Sequence, residues 1–192
     1  MTWLETAAVV FGIVSVWLST REHIWSWPTA IVNVLLYVIV FRDAKLYADM
    51  GLQVVYAAIS VYGWWHWLHG GAEDGVLPVT RTPARLMVTV AVIAALASAL
   101  LGQLLARATD AALPWMDATL AATSLVAQWM LTRKLLENWL VWIALDVCYV
   151  GMFIYKQLYQ TAGLYAVFLV LAVMGYSGWR RSMGESVVRA AA

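Results

Sequence analysis

Charge is what this chain has least of. Lysine, arginine, aspartate and glutamate make up 12% of its 192 residues against 64% hydrophobic residues, and the mean hydropathy is +0.76. Soluble domains carry about 25% charged and about 45–50% apolar residues, so composition excludes that class. Twelve basic and eleven acidic residues leave a net charge of +1, too small to support nucleic-acid binding or an anionic surface partner. Cysteine occurs once, at Cys148, which excludes an intrachain disulfide. None of His23, His66 and His69 has metal-ligand spacing, and no Cys/His cluster exists. A phosphate-binding loop, a dinucleotide-binding glycine fingerprint and a nucleophile–base–acid set are equally missing. Nothing supports an enzyme, ATP coupling, a metal or a cofactor. The first apolar stretch lacks a basic leader and a small-residue cleavage site, so it is expected to stay as a membrane helix.

What remains is a series of apolar runs, about 3–19, 27–41, 48–68, 86–105, 115–132, 139–155 and 162–179. A bilayer crossing takes about 20 residues, so the runs predict seven transmembrane helices, with thinning or tilt at the short second and sixth. The connection His69–Arg85, rich in glycine, proline and charge, reads as a solvent loop. The expected class is an all-α membrane protein, one domain over residues 1–192. Twelve tryptophans are many, and the plain reading is an interfacial belt at helix ends, which Trp25, Trp27, Trp115 and Trp139 satisfy. The end holding the first connection (side A) carries Arg21, Arg81, Arg85, Arg133, Lys134, Arg180, Arg181 and Arg189, eight of the twelve basic residues. The positive-inside rule places that end in the cytoplasm, with the N-terminus outside and the C-terminus inside.

Sliding the chain by 112 residues lays the second and third runs on the sixth and seventh. Trp27/Trp139, Tyr37/Tyr149, Phe41/Phe153, Gly51/Gly163, Gly63/Gly175 and Trp67/Trp179 coincide, as does a Leu-Tyr-x-x-x-Gly-Leu pattern at Leu46 and Leu158. Four crossings separate the copies, so they share one orientation and form parallel three-helix repeats, about 3–68 and 115–179, joined by a linker helix at about 86–105. Sites in transporters of this kind lie near the midplane, at the repeat interface.

Departures from the repeat point to chemistry. A carboxylate at the centre of a membrane helix costs roughly 2.5–3.5 kcal/mol on insertion scales, and Asp146 lies in the middle of Trp139–Tyr155. At steps of three and four it shares a stripe with Trp139, Trp142, Tyr149 and Phe153, where the first repeat has only Ala30 and Val34 in place of Trp142 and Asp146. On the third helix the stripe holds the polar groups Asp49, Gln53, Tyr56 and Ser60, where the second copy has Thr161, Tyr165, Phe168 and Ala172. A pocket between the halves would take its amide and hydroxyls from the third helix and its acid and indole from the sixth. Blander readings stand beside each residue. Asp146 and Gln53 can be helix–helix glue, Trp142 a core filler, and Tyr149, matched by Tyr37, a packing residue. Asn33, mid-helix, also needs a partner. Gln128 and Asn138 read as capping or anchoring groups, and Gly63 and Gly175 as close-packing positions.

Trp27–Trp67, with Arg42-Asp43-Ala44-Lys45-Leu46-Tyr47-Ala48-Asp49-Met50-Gly51-Leu52-Gln53 and Tyr62-Gly63-Trp64-Trp65-His66-Trp67, resembles the PnuC family of bacterial vitamin transporters. So do Gln128-Trp129, Arg133-Lys134, Glu137-Asn138-Trp139-Leu140-Val141-Trp142, Asp146 and Gly175-Tyr176-Ser177-Gly178-Trp179-Arg180-Arg181. The resemblance covers nearly the whole chain, with residues 70–110 adding little. It implies a layout like that of SWEET sugar transporters, a homotrimer in the bacterial inner membrane, and facilitated diffusion of nicotinamide riboside, trapped afterwards by a cytoplasmic kinase. Other branches carry thiamine or riboflavin. The implied pocket of tryptophans and polar side chains corresponds here to Trp142, Asp146, Gln53, Tyr56, Trp64 and Trp67, to which the stripes add Tyr149 and Asn33. A pyridinium ring suits indole faces, an attraction of about 2 kcal/mol when desolvated, and Asp146 can offset its charge. A structural or sensor protein with purely packing aromatics is the rival from another class.

Overall fold

The apolar runs become seven α-helices: α1 Trp3–Thr20, α2 Ser26–Asp43, α3 Tyr47–His69, α4 Ala84–Ala108, α5 Pro114–Thr132, α6 Asn138–Tyr155 and α7 Tyr159–Ala190. This computed structural model describes residues 3–71, 77–109 and 113–190, without the side chains of 47–48 and 186–190. Residues 72–76 of the long connection and the Arg189 side chain thus lie outside the described residues. The boundaries follow local chemistry. Pro114 opens α5, where its missing N–H costs no helical bond. Pro83 directly precedes α4. The seventh helix continues past residue 179 to Ala190. Charge ended the apolar run there, but arginine and glutamate are good helix formers and carry the helix on.

Among the described residues, four helices are long and apolar enough to cross a membrane: α1, α4, α6 and α7. The other three, α2, α3 and α5, carry Asn33, Gln53, Tyr56, Ser60, Ser124 and Gln128, which dilute their hydropathy and all turn inward. Large side chains on α4 point outward at every fourth residue, Val88, Val92, Leu96, Leu100 and Leu104, a lipid-type stripe.

The 112-residue offset recurs in backbone geometry. Among the described residues, non-glycine positive φ occurs at Glu22 (55°), Lys45 (59°), Lys134 (49°) and Gln157 (58°), two pairs each 112 apart. At Lys45 the left-handed residue closes α2, with Leu46 N–H donating to Phe41 C=O at 2.8 Å. Gln157 closes α6 identically, with Leu158 N–H donating to Phe153 C=O at 2.8 Å. A left-handed non-glycine residue costs roughly 1–2 kcal/mol, so its appearance at matched positions reflects a turn that both halves require.

The halves meet through α1 against α7 and α3 against α5, contacts that exchange under the same offset. At side A four tryptophans interlock. Trp27 meets Trp67 edge-on (5.3 Å, 88°), Trp139 meets Trp179 edge-on (5.4 Å, 89°), and Trp67 and Trp179 touch at 6.0 Å. Trp67 Nε1 donates across to the Leu131 carbonyl, and Trp179 Nε1 donates back to the Ser19 carbonyl. Residues 131 and 19 are again 112 apart. Glu22 and Lys134, on the matching turns, form an ion pair at 2.8 Å, and the Lys134 ammonium lies 4.6 Å from the Trp67 ring centroid. The segment before α4 is strapped to the same turn. Thr80 N–H donates to the Lys134 carbonyl, Leu136 N–H donates to the Thr80 carbonyl, and the Glu137 carboxylate accepts from Thr82 N–H and Oγ–H at 2.6 and 2.7 Å. The three interior side-A connections are thus tied into one end of the molecule.

Candidate functional site

A cavity of about 410 Å³ lies between the halves, lined by α1, α2, α3, α5, α6 and α7 and by no residue of α4. Its size falls in the usual range for small-molecule sites, roughly 300–1,000 Å³.

Asp146 projects into this space from α6, 3% exposed. The spacing of three and four that set the stripe places Trp139 and Trp142 before it and Tyr149 and Phe153 after it, all in the cavity wall. Among the described residues no lysine, arginine or histidine forms an ion pair with Asp146. A buried carboxylate without a cation partner leaves room for one that arrives with a ligand. Trp142, half-buried, packs against the tryptophan cluster on one side and against the Leu120–Leu145–Met152 cluster on the other. Its ring is therefore held at a fixed orientation beside the acid.

Tyr149 stacks on Tyr165 (4.5 Å, 29°) and Phe153 (6.1 Å, 14°), and Phe153 stacks on Tyr165 (5.2 Å). The first half repeats this in reduced form, Tyr37 on Phe41 at 5.6 Å. These rings form an aromatic wall toward side B. Gln53 and Tyr56 join the lining from α3. Ser124 donates its hydroxyl proton to the Ala121 carbonyl, so the bond joining Ser124 to Tyr56 is donated by the phenol. That bond links α3 to α5, one half to the other. Asn33 lines the cavity while its amide donates to the Ala8 carbonyl at 2.6 Å, so it also fastens α2 to α1.

Six sequence-derived residues, Trp142, Asp146, Tyr149, Gln53, Tyr56 and Asn33, are thus brought together around one cavity. Trp64 and Trp67 are not among its lining residues. Trp64 is 38% exposed on the outer face of α3, and Trp67 is 6% exposed within the tryptophan cluster, where its N–H is bonded to Leu131. Trp25 and Trp115 are 61% and 51% exposed, whereas the interfacial reading is corrected for Trp27 and Trp139. Both are 2% exposed and line the cavity at its side-A end. Gln128 likewise lines the cavity, whereas Asn138 is wholly buried, its amide donating to the Leu135 carbonyl.

The cavity between the two like halves thus combines an acid and an aromatic wall in apolar surroundings. The sequence model of a family described as "Nicotinamide mononucleotide transporter" matches residues 2–181. This chain belongs to the nicotinamide mononucleotide transporter family. It is 25% identical over 215 residues to the nicotinamide riboside transporter PnuC of Escherichia coli (strain K12), covering 99% of this chain and 90% of that protein. It is 26% identical over 182 residues to the riboflavin/roseoflavin transporter RibM of Streptomyces davaonensis, covering 92% and 84%. Its fold matches the crystal structure of the vitamin B3 transporter PnuC with a TM-score of 0.76, at 22% identity over 95% of this chain and 83% of that one. Family members of this kind are transporters rather than enzymes, and the fold is theirs.

Proposed function

We propose that the chain carries nicotinamide riboside into the cell by facilitated diffusion, and that a cytoplasmic kinase then traps the solute as a charged product. The observation that carries this reading is Asp146: a buried carboxylate with no ion-pair partner among the described residues, in a cavity walled by indole and phenol rings. A riboside with a positively charged aromatic ring supplies the missing charge, and its ring gains about 2 kcal/mol against an aromatic face in dry surroundings. Trp142, Tyr149, Gln53, Tyr56 and Asn33 complete the binding set. The protein works as one membrane domain, in which two three-helix repeats, about 3–68 and 115–179, rock about the occupied cavity and the linker at about 86–105 joins them. All seven helices cross the bacterial inner membrane, with the N-terminus outside and the C-terminus inside, an orientation supported by the basic residues of side A. Assembly as a homotrimer is supported by the family resemblance.

Riboflavin is the second reading, favoured by the likeness to RibM. Thiamine, another aromatic cation, is the third. Calorimetric titration of the detergent-purified chain with all three decides. Saturable binding of nicotinamide riboside alone is the expected result. Saturation by riboflavin or thiamine alone moves the substrate within the family, and no binding of any of the three overturns the vitamin reading. Uptake into proteoliposomes, driven by the riboside gradient and unchanged when a pH or sodium gradient is imposed, is the expected signature of facilitated diffusion.

A further inference from the structure

The side-A end of the cavity contains four buried polar atoms that have no hydrogen-bond partner among the described residues: Trp27 Nε1, Trp139 Nε1, Ser26 Oγ and Ser60 Oγ. All four residues line the cavity, and each is 1–2% exposed. Buried polar groups in folded proteins are nearly always bonded, so four orphans lining one end of one cavity require an explanation. The neighbouring indoles show that the fold itself does not need to leave them free. Trp67 and Trp179 belong to the same cluster, and each donates its N–H to a backbone carbonyl of the other half.

The two free indoles are fixed in place. Trp27 lies against Gly63, where an added Cβ would collide with its ring, and its edge is packed on Trp67. Trp139 lies in the same way against Gly175, at 2.6 Å, and packs on Trp179. One comes from each half, so two rigid N–H donors and two hydroxyls line the same end of the cavity. A nicotinamide ring offers such groups one carboxamide, too little for four of them, whereas a sugar offers several hydroxyls that both accept and donate.

We infer that Trp27, Trp139, Ser26 and Ser60 form a sugar-hydroxyl subsite, and that the ligand lies with its ribosyl group at side A and its cationic ring toward Asp146. The inference rests on the riboside reading above. Trp139 and Asp146 are seven residues apart on α6, which at 1.5 Å per residue is about 10 Å, the length scale of a nucleoside. The orientation explains why the acid and the orphan donors occupy separate places in one cavity: each meets a different part of the same solute.

The test is calorimetric titration of the full-length purified chain and of its Ser60→Ala, Ser26→Ala and Trp139→Phe variants with nicotinamide riboside and with 1-methylnicotinamide, the same type of cation without a sugar. Each variant is expected to bind the riboside about fivefold to tenfold more weakly, the loss of one hydrogen bond, while its affinity for 1-methylnicotinamide changes less than about twofold. Equal weakening of both ligands would show a general packing role and overturn the subsite. Unchanged riboside affinity in all variants would show that water satisfies these atoms, and would overturn it as well. Failure of the unmutated chain to bind either ligand would fail the riboside reading itself and the subsite with it, a result distinguishable from the other two. Thermal melting checks folding, and the serine variants, which remove one oxygen each, keep the test decisive if Trp139→Phe does not fold.

Discussion

Asp146 is where stability and function pull in opposite directions. Replacing it with asparagine removes a buried charge that no protein cation offsets, so Asp146→Asn is expected to raise the melting temperature while weakening riboside binding by about a hundredfold, the scale of a lost charge-assisted contact of about 3 kcal/mol. Trp142→Ala is expected to cost about thirtyfold in affinity, following the desolvated cation–aromatic attraction of about 2 kcal/mol. Melting curves and calorimetry on the same preparations check both. An Asp146→Asn protein that melts lower and binds normally would assign the acid to helix–helix bonding instead. Much of this site was legible in the sequence because a charge in an apolar run is costly and helical spacing fixes its neighbours. The same logic failed for Trp64 and Trp67, since a membrane protein is apolar on its lipid face and in its core alike, and a tryptophan on α3 carries no mark of which way it turns. Trp27 and Trp139 were read by their place at run ends. The repeat does not separate them from the exposed tryptophans, since under the 112-residue shift Trp115 falls on Trp3 just as Trp139 falls on Trp27.

At the scale of the element, all seven runs became helices, since hydropathy and proline placement bear directly on helix existence. The apolar run 162–179 understates α7 because charge ends an apolar run without ending a helix. Glycines show what the sequence withholds. Gly63, Gly175, Gly51 and Gly163 all recur across the repeat, yet only the first two are pressed against tryptophan, while the last two have nothing within 4 Å of an added Cβ. Gly63→Ala and Gly175→Ala are therefore expected to destabilise by about 1–3 kcal/mol through overpacking against Trp27 and Trp139. Gly51→Ala and Gly163→Ala are expected to be neutral or to stabilise by up to about 1 kcal/mol, the usual gain of alanine over glycine in a helix. Thermal melts of the four variants in one detergent test the contrast, and equal effects in all four would remove the packing role assigned to the Gly–Trp pairs.

At the scale of the whole molecule, the two halves are fastened to each other at side A by matched elements. Trp67 and Trp179 exchange N–H bonds across the interface, and Glu22 and Lys134, on equivalent turns with equivalent left-handed backbones, form an ion pair between them. Lys134 is 5% exposed in its side chain, so this is a pair largely out of water, and breaking a buried pair by removing one partner costs roughly 3–5 kcal/mol. Rocking of the halves would have to part this pair each time the cavity opens at that end. Holding the two turns together with a bifunctional thiol reagent should then stop transport without emptying the site. In a Cys148→Ser background, needed because the one native cysteine is exposed, Glu22→Cys/Lys134→Cys protein bridged by such a reagent is expected to bind riboside within about threefold of the unbridged double variant. Its uptake in proteoliposomes should fall to the level of empty vesicles, and cleavage of the bridge should restore it. Undiminished uptake by the bridged protein would mean that the halves stay together at side A throughout the cycle and that the solute passes by a motion confined to the opposite, aromatic end of the cavity.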